Sequence, residues 1–259
     1  MTITNTSQLE LNGKTALVTG ASGGLGEHFA SILAAAGAKV ILAGRRAEPL
    51  AKLAKRISSE GGEALTVSLD VTSSTGVSET FDLIQSEGWL ADIVVCNAGV
   101  ATGSKSLDTR EEDWDKVLDT NLKGCWLVAN EAAKRLIAAE RPGSIINITS
   151  ILSHRVASNV VPYTTSKAAL EQLTRALALE WARHNIRVNA LAPGYIETDL
   201  NRDFFATEPG KAMIKRIPQR RLGQPGDLTG PLLLLASDLS AYMTGSTLVA
   251  DGGHLQSTL

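Results

Sequence analysis

The stretch Val160-Val161-Pro162-Tyr163-Thr164-Thr165-Ser166-Lys167 places a phenol and an ammonium at i and i+4 near the start of a helical pattern. Side chains at that spacing are neighbours on one helix face. A phenol gives a proton to a developing alkoxide, or takes one from an alcohol, more readily when a cation stabilises the phenolate. One ammonium about 4 Å away, at an effective dielectric of about 20, supplies on the order of 4 kcal/mol of that stabilisation; burial of the phenolate opposes it. Taken alone, the pair fits a half-buried tyrosine overlaid by a lysine stem equally well. Chemistry requires partners elsewhere in the chain.

One partner is a phosphate cradle near the other end. The β-branched run Thr15-Ala16-Leu17-Val18 leads directly into Thr19-Gly20-Ala21-Ser22-Gly23-Gly24-Leu25-Gly26, and a helical pattern carrying Leu25, Phe29, Ile32 and Leu33 follows. Glycines allow the backbone to approach a pyrophosphate, and the helix N-terminus supplies unpaired N–H groups and positive potential to hold it. A site that prefers NAD usually places a carboxylate after the second strand, on the adenosine ribose. This chain reads Ala43-Gly44-Arg45-Arg46 there. A guanidinium at that edge suits a 2′-phosphate, so NADP(H) is expected to be preferred, with NAD(H) as the alternative.

The elements that must position these groups alternate from end to end. Strands are expected at 15–18, 40–42, 64–69, 92–96, 144–148, 186–191 and 247–250, separated by helices that include a long one over about 111–140, another over 162–184 and one near 225–238. Pro162 suits a first helical turn, where its missing N–H is no loss. Strands joined through helices pair in parallel, which predicts a single-domain α/β fold: a Rossmann-type, doubly wound parallel sheet of seven strands with helices on both faces. The domain is expected over 13–259 after a tail at 1–12. The stretch of about 199–221 shows neither rhythm and is read as a substrate flap. Its Phe204, Phe205, Met213 and Ile214 either close over substrate or pack a helix pair or subunit contact.

Composition limits the partners. The 259 residues are 44% hydrophobic, enough for a substantial core, and 25 Lys+Arg against 27 Asp+Glu give no field favouring nucleic acid or an anionic membrane. Cys96 and Cys125 are the only cysteines, which supports neither a disulfide framework nor a metal site. The start of the chain lacks a signal pattern and no apolar run is long enough to span a bilayer, so a small-molecule partner and a cytoplasmic location are expected.

Thr19-Gly20 with Gly24 and Gly26 reads TGxxxGxG, and Cys96-Asn97-Ala98-Gly99 is similar to an NNAG stretch after a fourth strand. With Ser150 at the end of the fifth strand, Tyr163, Lys167 and Asn121 in Asp119-Thr120-Asn121-Leu122-Lys123-Gly124, these residues resemble the short-chain dehydrogenase/reductase family, its single-domain branch of 3-oxoacyl reductases and gluconate 5-dehydrogenases. The resemblance covers most of residues 13–253. It implies that Tyr163 is the general acid in ketone reduction and the base in alcohol oxidation. Lys167 holds the nicotinamide ribose and stabilises the phenolate, Ser150 hydrogen-bonds the carbonyl, and Asn121 helps hold a proton-relaying water.

The resemblance further implies cofactor contacts from Gly20, Ser22, Gly23, Gly24, Leu25 and Gly26, from the adenine-side pair Asp70-Val71, and from Asn97, Ala98 and Gly99. Pro193-Gly194-Tyr195-Ile196-Glu197-Thr198 looks like the family's PGxxxT segment, with Ile196 and Thr198 on the nicotinamide carboxamide. A homotetramer using the helices that carry Asn121 and Tyr163, plus the last strand, is implied as well. The reading is therefore an NADP(H)-dependent enzyme interconverting a ketone and a secondary alcohol. A 3-oxoacyl thioester reductase and a non-catalytic dinucleotide-binding regulator stand as alternatives. His154 and Arg155 fall near the site, where they reach an anionic or carbonyl-bearing substrate or simply occupy a surface loop.

Overall fold

The structure, a computed structural model, describes residues 9–198 and 201–257. Strands β1 (Thr15–Thr19), β2 (Lys39–Gly44), β3 (Ala64–Ser68), β4 (Ile93–Cys96), β5 (Gly143–Ile148), β6 (Ile186–Pro193) and β7 (Thr247–Ala250) form one sheet in the order β3-β2-β1-β4-β5-β6-β7. All its pairings are parallel. The chain order reverses between β1 and β4, which opens a crevice at the carboxyl ends of those strands, the place where such sheets bind ligands.

Both sheet faces are apolar, because successive strand residues point to opposite sides and each side is covered. Leu17, Ile41, Val94, Ile145 and Val188 face α3 (Ser74–Ser86), α5 (Gly124–Ala138) and α6 (Val161–Trp181). Ala16, Val18, Val40, Leu42, Val95 and Ile146 face α1 (Gly24–Ala35), α2 (Ala47–Ser59) and α9 (Thr229–Ala236). Burying one such Leu, Ile or Val contributes roughly 1.5–3 kcal/mol relative to exposure. These two layers hold the crevice residues in register.

Three expectations change in detail. The long helix over 111–140 is broken: α4 (Glu111–Leu118) passes into a π-helical turn, Asp119–Lys123, before α5. The wide turn accommodates the inward-pointing, fully buried Asn121, and the lack of a side chain at Gly124 lets α5 close on Val71, whose Cγ2 would lie 2.7 Å from an added Cβ. The stretch expected to be irregular contains α7 (Arg202–Ala206) and α8 (Glu208–Ile214); each is too short for a periodic pattern to register. Asp199 and Leu200 of that stretch lie outside the described residues. Leu11, expected in the tail, is buried in the core and donates its N–H to Ala36 O at 2.7 Å, so ordered packing begins before residue 13. Residues 1–8 lie outside the described residues. Among the described residues no helix is long and apolar enough to cross a membrane.

Candidate active site

The glycine turn is built by close approach. A Cβ on Gly26, in the first turn of α1, would lie 2.2 Å from Gly20 O and 2.6 Å from Asn97 Nδ2, so nothing larger than glycine fits there. Gly20 itself has φ +67°, the left-handed region glycine enters without strain. Thr19 Oγ1 accepts the N–H groups of both Asn97 and Ala98 at 3.0 Å, and Asn97 Nδ2 donates to Thr19 O at 3.0 Å. The turns after β1 and β4 are thus stitched across the crevice. Gly23 is the N-cap of α1 and offers no side-chain cap, which leaves the opening N–H groups of Gly24, Leu25 and Gly26 to an external acceptor. A glycine-rich turn ending in an uncapped helix is what a dinucleotide pyrophosphate requires, so the residues fit the group.

Arg46 lies over this turn. It donates from Nη2 to Ser22 O at 2.8 Å and from Nε and Nη2 to Ser22 Oγ at 3.2 and 3.1 Å, and a Cβ on Gly23 would meet Nη2 at 3.2 Å. The guanidinium therefore borders Ser22 and Gly23 although it arrives from the end of β2. Arg45 acts on Asp70 only through its charge. The N–H and then the hydroxyl of Thr72 hold the Asp70 carboxyl below its usual range, with Arg45 adding to the effect. Val71 is buried against Gly124, which leaves Asp70 as the open member of the pair.

At the carboxyl end of β5, Ser150 Oγ accepts the Leu152 N–H at 3.1 Å, an arrangement that keeps its hydroxyl hydrogen available to an incoming oxygen. Pro162 sits in the first turn of α6, as its missing N–H favours, and launches Tyr163 and Lys167 on one face. Lys167 is 4% exposed, and among the described residues no carboxylate pairs with it. Its Nζ donates to Ile148 O at 2.7 Å and stands 5.6 Å from the centroid of the Tyr163 ring. A buried ammonium with one carbonyl acceptor keeps donors to spare, the condition for holding sugar hydroxyls. Gly99 adjoins the pair: a Cβ there would lie 3.7 Å from Lys167 Nζ and 3.3 Å from Asn121 Oδ1.

The side chain of Asn121 is engaged within the protein. Its Nδ2 donates to Val100 O at 2.9 Å and to Ser166 Oγ at 3.0 Å, and its Oδ1 accepts the Val100 N–H at 2.8 Å. Both amide hydrogens are committed. Ser166 passes the constraint on by donating to Tyr163 O at 2.7 Å. Asn121 thereby ties the segment after Gly99 to the turn of α6 that carries Tyr163.

After β6, Gly194 donates its N–H to Ala250 O at 2.9 Å, and a Cβ on it would lie 2.7 Å from Asp251 Cα. Pro193 and Ile196 are buried, Ile196 forms a lone bridge with Gly223, and the Thr198 N–H is received by Asn201 Oδ1 at 2.9 Å. Tyr195 is brought beside this site although no role was expected for it. Its ring meets Phe205 edge-on at 5.8 Å and His254 at 5.5 Å. Burial, and then the neighbouring Tyr163, push the Tyr195 phenol up, with Arg216 opposing. The usable signal was position alone, directly after Pro193-Gly194 at a strand's carboxyl end. Of the loop pair, His154 turns to α6, its Nε2 lying 3.1 Å from Glu171 Oε2, while Arg155 reaches the C-terminal segment. A concavity of about 960 Å³ opens at the opposite edge of the sheet, lined by residues such as Asp92, Arg141 and Arg187, and contains none of the residues assigned to cofactor or catalysis.

Comparison with known proteins agrees with this geometry over nearly the whole chain. Residues 20–254 match a family described as enoyl-(acyl carrier protein) reductase. The chain is 38% identical to 2-dehydro-3-deoxy-D-gluconate 5-dehydrogenase of Escherichia coli, covering 96% of this chain and 98% of that one. It is 36% identical to the 3-oxoacyl-[acyl-carrier-protein] reductase FabG of Rickettsia conorii, covering 95% and 99%. The crystal structure of a gluconate 5-dehydrogenase from Burkholderia cenocepacia, in complex with NADP and tartrate, superposes with a TM-score of 0.93 at 35% identity, covering 97% and 99%. A match that runs over nearly the whole chain at this identity places it plainly: the chain belongs to the short-chain dehydrogenase/reductase family.

Proposed function

We propose that the protein is an NADP(H)-dependent oxidoreductase that interconverts a ketone and a secondary alcohol. The observation that carries this reading is the placement, at one carboxyl edge of the sheet, of the glycine-rich turn at Gly20–Gly26 and of Tyr163 paired with a buried Lys167. Bound at that edge, the nicotinamide cofactor supplies or accepts the hydride, and the protein must handle the proton.

Gly20, Ser22, Gly23, Gly24, Leu25 and Gly26 bind the pyrophosphate, Arg45 and Arg46 the 2′-phosphate, and Asp70-Val71 the adenine side. Asn97, Ala98 and Gly99 line the floor, while Pro193, Gly194, Ile196 and Thr198 border the nicotinamide. Tyr163 gives its proton to the carbonyl oxygen in reduction and takes one from the alcohol in oxidation. Ser150 donates a hydrogen bond to the same oxygen, and Lys167 anchors the ribose while stabilising negative charge on the phenol. Asn121 acts by fixing Val100 and Ser166, and through them Tyr163.

Trp114 on α4, Trp126 on α5 and Leu179 on α6 are exposed in the single chain, as is Val249 on β7. Apolar surface on those helices and on the edge strand supports a homotetramer, and the balanced charge supports a cytoplasmic enzyme acting on a small molecule. The segment of about 199–221 is the substrate flap, with Phe205 anchoring it on Tyr195.

Following NADPH absorbance with simple ketones, keto sugars and 3-oxoacyl thioesters tests the reading. Consumption with a ketone, and a higher kcat/KM for NADPH than for NADH, is expected. Cofactor binding without turnover of any of these compounds would instead identify a dinucleotide-binding regulator, and light scattering reads the tetramer.

A further inference from the structure

The substrate side of Tyr163 carries a concentration of positive charge that proton transfer does not use. After β7 the chain bends because Asp251 accepts the N–H groups of Gly253 and Leu255 at 2.8 and 2.7 Å, and this bend delivers His254 to the face of Tyr195. Arg155, five residues beyond Ser150, crosses to the same place. Its Nη1 donates to His254 O at 2.8 Å and to Ser257 Oγ at 3.1 Å. Among the described residues its Nε and Nη2 have no partner, and no carboxylate pairs with it.

Arg216 approaches from the other side. The next residue, Ile217, is buried, with its Cγ2 3.0 Å from where a Cβ on Gly252 would stand, and Gln219 donates its N–H to Gly252 O at 3.2 Å. That packing holds Arg216 beside the strip of Tyr195 and His254. Its side chain is exposed and has no ion-pair partner among the described residues. His254 Nδ1 is buried and unpartnered. Burial, then Arg155, and to a smaller extent Arg216 hold the His254 imidazole below the usual histidine value, with Asp251 acting the other way. The neutral ring offers a hydrogen bond beside the two guanidiniums. Asp251 spends one lone pair of each oxygen on a backbone N–H and makes no ion pair with either arginine among the described residues.

Two unneutralised guanidiniums, a ring nitrogen without a partner and the Tyr195 hydroxyl form a recognition surface for an anion; a purely apolar acyl chain would leave these polar groups desolvated and unpaired. We propose that the substrate is a ketone bearing a carboxylate on its carbon chain, held by Arg155, Arg216 and His254 while the carbonyl lies at Tyr163. This rests on the ketone reductase reading above and names the substrate class of that site.

Three probes separate the possibilities: 5-keto-D-gluconate, L-sorbose, which differs from it by a hydroxymethyl group in place of the carboxylate, and acetoacetyl-CoA. The expected result is a kcat/KM with NADPH at least tenfold higher for the keto acid than for sorbose, an advantage that shrinks as salt is raised. In Arg216→Gln the ratio should fall several-fold. Arg155→Gln should lower it as well, but that variant also loses the tie to the C-terminal segment, so the exposed Arg216 carries the test. Equal kcat/KM for keto acid and sorbose, a ratio that Arg216→Gln leaves unchanged, or acetoacetyl-CoA as the best substrate would overturn the carboxylate site while leaving ketone reduction intact. Consumption of none of the three would defeat the ketone reductase reading, and the carboxylate site with it.

Discussion

Lys167 Nζ stands 5.6 Å from the centroid of the Tyr163 ring while donating to Ile148 O, so the ammonium is fixed from below and the phenol lies beside it. Tyr163→Phe removes the proton donor and leaves the ring in place. Its kcat is expected to fall about a hundredfold to ten-thousandfold, the range for losing a general acid, while NADPH binding by fluorescence titration remains measurable. Lys167→Met removes a cation and a ribose donor together, so both kcat and NADPH affinity should fall. Retained turnover in Tyr163→Phe would assign the proton transfer elsewhere.

Asn121 reaches Tyr163 through a single hydroxyl, Ser166 Oγ, which accepts from Asn121 and donates to Tyr163 O. Ser166 is fully buried, and Ser166→Ala leaves one amide hydrogen of Asn121 without an acceptor. A buried unsatisfied group costs about 1–3 kcal/mol, and each kcal/mol is worth about 2–4 °C in Tm for a chain of this size. A lower Tm is therefore expected together with a reduced kcat and a nearly unchanged KM for NADPH. A change in Tm with kcat unaltered would make Ser166 purely structural.

The sheet was legible because its strands are short, apolar on both sides and separated by amphipathic helices, so local periodicity and global topology agree. The glycine turn was legible for the same reason, its spacing lying directly between β1 and α1. Two kinds of feature were not. The π turn at Asp119–Lys123 owes its shape to Asn121 binding the backbone of Val100, a distant contact with no local pattern. Tyr195 and His254 meet only because β6 and β7 are adjacent and the chain folds back after Asp251, so their pairing exists in three dimensions alone. The partners of the Asn121 side chain were hidden on the same ground, since hydrogen-bond commitments cannot be read from residue type.

Gly26 tests the cradle independently of the chemistry. The Cβ in Gly26→Ala would lie 2.2 Å from Gly20 O, a backbone atom that cannot step aside without opening the turn. Isothermal titration is expected to show NADPH affinity reduced more than tenfold, along with a lower Tm. Gly61→Ala is the contrasting case: no atom stands within 4 Å of its Cβ, but φ is +88°, so strain lowers stability without touching cofactor affinity.

Asp227 gives the segment that follows the flap a small acid-sensitive contribution to stability. Arg221 first, then the Gln224 N–H, pull its carboxyl down to about 2, and the same residue follows the bridge from Gly223 to Ile196. A carboxylate lowered in the folded state stabilises fully above its unfolded value of about 3.9, and the contribution is lost as pH falls through about 2. Both partners are exposed, so solvent screening keeps the contribution small. Asp227→Asn should therefore melt slightly lower than the parent at pH 7, by a difference that is constant through pH 5–8 and closes below about pH 4. A difference that grows on acidification would contradict the assignment.

Arg46 is expected to set the cofactor preference. Its guanidinium is held against Ser22 by three hydrogen bonds, with Nη2 over Gly23, so it is oriented before any ligand arrives and loses little side-chain freedom on binding. Arg45 lacks that anchoring and acts on Asp70 only through its charge. Hydrogen bonds to a charged group are worth about 1.5–3 kcal/mol, which corresponds to roughly ten- to hundredfold in affinity. Arg46→Ala is accordingly expected to lower kcat/KM for NADPH by that factor and to change kcat/KM for NADH much less, whereas Arg45→Ala should have the smaller effect of the two. Raising the salt concentration should narrow the NADPH advantage of the parent enzyme and leave Arg46→Ala nearly flat, because the contact is an ion pair at the surface. Equal losses for NADPH and NADH in Arg46→Ala would mean that the residue only braces the glycine turn through Ser22, and the preference for the 2′-phosphate would then have to reside in Arg45.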